Sequence, residues 1–170
     1  MDLDNPGPDR TAPAPALAPA LSPVAALIGT WRGDGAGSYP TIEDFSYTDE
    51  VVFTDVGKPF LHYVQRSWSP AGAPMHTETG YLRLPAPGVA ELILAQPMGQ
   101  TELAEGTITA EADTIVLEFE ARVASSASAK DVASTRRRYE LTGDRLTSRF
   151  AMAAVGQPMT HHLSSEMHRV

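Results

Sequence analysis

Two imidazoles stand side by side near the end of the chain, in Gln157-Pro158-Met159-Thr160-His161-His162-Leu163-Ser164-Ser165. Neutral imidazole is the commonest protein ligand for a metal. On a strand, neighbouring side chains point to opposite faces, so only one of the pair can reach an interior. Period two groups His162 with Ser164, Glu166 and His168, and groups His161 with Leu163 and Met167. An apolar-interior rule therefore favours His161. A bulge near residue 162, or a strand covered on its outer face, would favour His162 instead. The absence of cysteine removes disulfides, zinc–thiolate sites and iron–sulfur clusters, and leaves His or Met to supply any soft or borderline donor. Of the other histidines, His62 and His168 read as surface residues, and His76 follows Met75 in a strand-like run. No G-x-S-x-G step stands at a strand–helix elbow, so a conventional hydrolase is not indicated.

The elements that must carry these residues are short strands. From Trp31 onward the hydrophobic period is two. Phe45, Tyr47, Val51 and Phe53 share a face, interrupted by Asp49, where a bulge or local exposure is expected. Turns are read at Gly57-Lys58-Pro59, Ser69-Pro70-Ala71-Gly72, Pro85-Ala86-Pro87-Gly88, Pro97-Met98-Gly99 and Gly143-Asp144. Between them lie about ten strand-like runs and no long helix. The clearest alternation sets Ile115, Leu117, Phe119 and Ala121 against Val116, Glu118, Glu120 and Arg122. Such a series predicts an all-β, antiparallel up-and-down barrel, since closure removes exposed edges. A barrel of about eight or more strands has room for one ligand. Ser22 and Pro23 read as the cap and first residue of a short helix, Val24 to Ile28, able to plug one end. Residues 1–21, rich in Pro and Ala, are expected to form a disordered arm, with the barrel spanning 22–170.

Totals bound the rest. A chain of 170 residues fits one domain, with 42% hydrophobic and 20% charged residues. A formal charge of −8 argues against a nucleic-acid surface. The one basic run, Arg136-Arg137-Arg138, alternates across a strand and is expected to be solvated. No apolar run reaches the ~18 residues of a membrane helix, and the acidic Met1-Asp2-Leu3-Asp4 lacks the pattern of a signal peptide. A cytoplasmic protein, monomeric or homodimeric, is expected.

Gly29-Thr30-Trp31-Arg32-Gly33-Asp34-Gly35 forms a G-x-W-x-G-x-G motif at the first long strand. There follow Gly37-Ser38-Tyr39-Pro40-Thr41-Ile42, Val56-Gly57-Lys58-Pro59-Phe60, Met75-His76-Thr77-Glu78-Thr79-Gly80-Tyr81-Leu82-Arg83, and Gln157-Pro158-Met159 before His162-Leu163. In this order, from about Ala25 to Arg169, they resemble the bacterial nitrobindins. The resemblance implies a ten-stranded barrel, similar in shape to fatty-acid-binding proteins and lipocalins, that holds haem b. It implies ferric haem that converts peroxynitrite to nitrate and binds nitric oxide. The proximal ligand it implies is a histidine directly before a Leu, which here is His162; His161 departs from the family's usual non-histidine neighbour. It also implies that Met75, His76, Gln96 and Met152 line the pocket, that Thr41 lies close to the porphyrin, and that Lys130 pairs with a propionate.

Overall fold

A computed structural model describes residues 16–170. The expected arm falls mostly on residues outside that range. A 3-10 helix spans Pro19–Leu27 and buries Leu21, Val24 and Leu27. These recur every third residue, the period that stacks side chains on one face of a 3-10 helix. The expected helix start was thus too late. Ser22 is no cap: its hydroxyl donates to the Pro19 carbonyl at 2.7 Å, within the helix. Leu21, expected to end the mobile arm, is fully buried because it forms the first rung of that apolar face.

Ten strands follow: β1 (Gly29–Tyr39), β2 (Ile42–Asp55), β3 (Phe60–Trp68), β4 (Pro74–Ala86), β5 (Val89–Ala95), β6 (Gln100–Glu111), β7 (Thr114–Ser125), β8 (Val132–Thr142), β9 (Arg145–Ala154) and β10 (Thr160–Arg169). Each pairs antiparallel with its sequence neighbours, and β1 pairs with β10, closing the barrel. No helix among the described residues is long and apolar enough to cross a membrane.

One end is dry. Trp31 is fully buried and donates its Nε1 hydrogen to the Leu27 carbonyl at 2.8 Å, which ties the helix across the opening. Arg169 lies over the Trp31 ring at 4.2 Å and donates to the carbonyls of Ala26 and Ile28. Val51, Phe53, Leu61, Leu82, Leu92, Leu117, Leu141, Leu146 and Met167 join the same apolar cluster. The sequence alternation set Val51, Phe53 and Leu117 on apolar faces, and an inward position at this end has only apolar neighbours.

Farther along the same strands the inward positions become polar: Asp49, Gln65, Glu78, Glu102, Thr135 and Arg137. Two expectations are corrected here. Asp49 marks neither a bulge nor exposure: β2 pairs with β3 in unbroken register through it, and it is fully buried. The basic run is not wholly solvated. Arg136 and Arg138 pair with glutamates on the outer wall, whereas Arg137 points inward and is 7% exposed. Both corrections have one cause. Each inward charge meets complementary groups from other strands, and a rule that assumes an apolar interior cannot see those partners.

Candidate functional site

The geometry of the last strand decides which imidazole turns inward. β10 pairs with β9 in register from His168 opposite Arg145 to Leu163 opposite Phe150, and resumes with His161 opposite Ala151. His162 has no residue opposite it on β9, which makes it the site of a β-bulge. The extra residue shifts the alternation by one. Met167, Ser165 and Leu163 face inward in period two; beyond them His162 also lines the interior cavity, and His161 is exposed beside Arg136 and Glu120 on the outer wall. The apolar-interior rule fails at His161 because of this single unpaired residue.

The His162 ring is held on several sides. Its Nδ1 lies 3.0 Å from the carbonyl of Ser38 on β1. A carbonyl only accepts, so Nδ1 carries the proton and Nε2 keeps its lone pair. Nε2 has no hydrogen-bond partner among the described residues. Tyr39 packs edge-on at 5.3 Å between ring centroids, with Phe45 at 6.1 Å and Phe150 at 6.2 Å. Burial lowers the pKa of the ring below its ordinary value, against the opposing pull of the Ser38 carbonyl. The result is a neutral, oriented imidazole with one free donor nitrogen, the state that a metal ligand needs.

It opens on a cavity of about 400 Å3, within the roughly 300–1,000 Å3 of small-molecule sites. Thr41, Met75, His76, Gln96, Lys130, Met152 and His162 all line it. They come from the β1–β2 turn, β4, the β5–β6 turn, the β7–β8 loop, β9 and β10, so only the closed barrel gathers them. Gln100 steadies the loop carrying Lys130: it is 5% exposed, and its Nε2 donates to the Lys130 carbonyl at 3.0 Å.

The polar wall of the cavity is the part sequence reasoning missed. Arg137 donates from Nη1 and Nη2 to the two oxygens of Glu78 at 2.7 and 2.9 Å, and from Nη2 to Glu102 at 2.8 Å. Its guanidinium also lies 4.6 Å from the centre of the Phe150 ring. Thr135 donates to Glu102, and Gln96 donates to both carboxylates. His76 Nε2 lies 3.4 Å from Glu78, and Tyr63 donates to the same residue at 3.0 Å. Burial pushes the Glu78 carboxyl up, but the Arg137 guanidinium and His76 together more than offset this and hold it down at about 2. One signal was available. Thr135, Arg137, Tyr139 and Leu141 share a period-two face ending in plainly apolar residues, which marks Arg137 as inward.

A family described as the THAP4-like, heme-binding beta-barrel domain matches residues 20–169. The chain belongs to this family. Among relatives, peroxynitrite isomerase 2 of Mycobacterium marinum is 48% identical over 155 residues, covering 90% of this chain and 96% of its own. Peroxynitrite isomerase 1 of Mycobacterium tuberculosis is 48% identical over 158 residues, covering 90% and 96%. A peroxynitrite isomerase of Nocardia farcinica is 45% identical over 159 residues, covering 92% and 95%. The crystal structure of Rv2717c from M. tuberculosis is similar throughout, with a TM-score of 0.89 at 46% identity, covering 91% of this chain and 99% of that one. Membership in a haem-binding barrel family makes haem the cofactor to test against the cavity. The donor set fits it: a neutral inward imidazole, an aromatic surround, and no thiolate competitor.

Proposed function

We propose that the chain holds one haem b through His162 and isomerises peroxynitrite to nitrate, and that the same haem binds nitric oxide. One observation carries the reading: an inward imidazole whose Nδ1 is committed to Ser38, leaving the Nε2 lone pair free beside a cavity of about 400 Å3. When bound, ferric haem supplies a cationic metal centre that takes the peroxynitrite anion and promotes its rearrangement to nitrate.

The residues of the chain orient and shelter that chemistry. The Ser38 carbonyl holds the Nδ1 proton of His162, fixing the tautomer, and so raises the basicity of Nε2. Tyr39, Phe45 and Phe150 limit the tilt of the ring. Met75 and Met152 offer polarisable surface to an aromatic macrocycle. Lys130, on the loop anchored by Gln100, would face a propionate, and Thr41 would lie near the porphyrin edge. His76 would lie on the polar side, steadied by Glu78. Burying a few hundred Å2 of porphyrin contributes on the order of 5–10 kcal/mol at about 25 cal/mol per Å2. The wall therefore supplies much of the affinity, and His162 sets orientation and reactivity.

Stopped-flow mixing of peroxynitrite with the ferric, haem-loaded protein tests the activity. Faster decay with a higher nitrate yield is expected. Equal decay rates with and without haem would defeat the assignment, and reversible nitric oxide binding without turnover would identify a carrier instead.

A further inference from the structure

β1 lies between β2 and β10, and two rows across its inner face repeat one arrangement. Tyr47, Gly35 and Ser165 form one row; Phe45, Gly37 and Leu163 form the next. In each the middle residue is glycine, and the ring from β2 lies over it. A Cβ on Gly35 would stand 2.3 Å from Cζ of Tyr47, and one on Gly37 would stand 2.3 Å from Cζ of Phe45. Other barrel glycines serve a different purpose. At Gly80 and Gly106 an added Cβ would meet the carbonyl oxygen of the next strand, Ile93 at 1.7 Å and Glu118 at 1.8 Å. Those two allow strands to approach closely; Gly35 and Gly37 allow rings to cross.

What the rings reach is the strand carrying the bulge. The Tyr47 hydroxyl lies 2.9 Å from Ser165 Oγ and donates to the Ser164 carbonyl at 3.4 Å. Ser165 donates in turn to Asp49 at 2.6 Å, and Gln65 donates to the same carboxylate. Phe45 reaches the His162 ring itself, at an interplanar angle of 65°. A bulged residue lacks the ladder partner that would fix its direction. The bond from Nδ1 to Ser38 restrains one atom of the ring, and its pivot about that atom is limited by the flanking rings of Tyr39, Phe45 and Phe150.

We propose that Gly35 and Gly37 are positioning residues for His162. These two positions without side chains let Tyr47 and Phe45 span β1, so that Tyr47 pins the β10 backbone beside the bulge and Phe45 sets the plane of the imidazole. The inference rests on the reading of His162 as the axial ligand, and it extends the role of the glycine motif to Gly37, beyond the motif's end.

The test compares Gly37→Ala and Phe45→Leu with the parent protein, with His161→Ala as the control. In the haem-free proteins, proton–nitrogen correlation spectra of the imidazoles report the tautomer of His162. The parent and His161→Ala are expected to show one Nδ1–H tautomer, and the two test variants a mixture. Hemin titration is expected to show a loss of affinity on the order of tenfold with a displaced Soret band, the scale found when a group orienting a metal ligand is removed. A single tautomer together with hemin affinity within about twofold of the parent, well inside that scale, would overturn the inference for any variant with unchanged circular dichroism and melting. Should Gly37→Ala not fold, Phe45→Leu decides alone, since it adds no atom to β1. Failure of the parent to take up hemin would instead refute the haem assignment, and the tautomer spectra would then decide the positioning role by themselves.

Discussion

Replacing Arg137 with Met should destabilise the barrel and reverse the sign of its acid response. Arg137 serves Glu78 and Glu102, whose side chains are each 1% exposed. Removing one partner of such a pair strands buried charge, at about 3–5 kcal/mol. A second route gives a similar figure. The Glu78 carboxyl is held at about 2 against an ordinary 4.5, with Arg137 the largest favourable influence against burial. By linkage this corresponds to on the order of 3 kcal/mol. Because the folded-state pKa is depressed, that stability is fully present above about pH 4.5 and is lost as pH falls toward 2. The parent should therefore weaken on acidification through this window. In Arg137→Met, burial is no longer outweighed, and the Glu78 pKa moves above its unfolded value. Stability should then rise as pH falls from neutrality, because protonation discharges the stranded carboxylate. Urea unfolding from pH 3 to 8, with midpoint and slope fitted at each pH, measures both effects. A loss below about 1 kcal/mol at pH 7, a surface-pair value, or a variant whose pH slope keeps the parent's sign, would refute the reasoning.

Three further outcomes are expected. His162→Ala should lose the Soret signature of histidine-ligated haem while keeping the barrel's circular dichroism, and His161→Ala should keep both, because only the former ring faces the cavity; absorption spectra with added hemin check this. Lys130→Ala should weaken hemin binding by no more than about fivefold, the scale of an exposed ion pair, and the difference should shrink at high salt; fluorescence-quenching titration at two ionic strengths reads it. Trp31→Phe should cost about 1–3 kcal/mol, because the buried Leu27 carbonyl loses its donor; thermal unfolding measures it.

Architecture was readable because strand alternation and turn residues are local signals. Ile115, Leu117 and Phe119 needed no knowledge of the rest of the chain. The polar wall was harder to read, since Glu78, Glu102 and Arg137 are tolerated inside only through one another, across three strands, and Asp49 only through Gln65 and Ser165. The imidazole pair lay between these cases. Alternation carried back from Met167 gives His161, and the one-residue bulge that reverses it leaves no composition signal of its own. Family resemblance selected His162 from the following Leu163, and no periodicity rule did. The helix was misplaced at its start because Ser22 and Pro23 imitate an α-helical cap, whereas Leu21, Val24 and Leu27 obey the shorter period.

Closure of β10 against β1 also fixes when the protein can become functional during its own synthesis. The nine earlier strands leave the ribosome first, yet β1 keeps an unpaired edge until β10 has emerged. Ser38 and His162 are 124 positions apart and meet only in that last step. A nascent chain therefore has neither a finished wall nor an oriented imidazole until β10 has emerged, and any cofactor must be acquired after that point. Partial products should accordingly be open-edged, sticky and pale, and interruption of the final hairpin should be far more damaging than its small share of the sequence suggests.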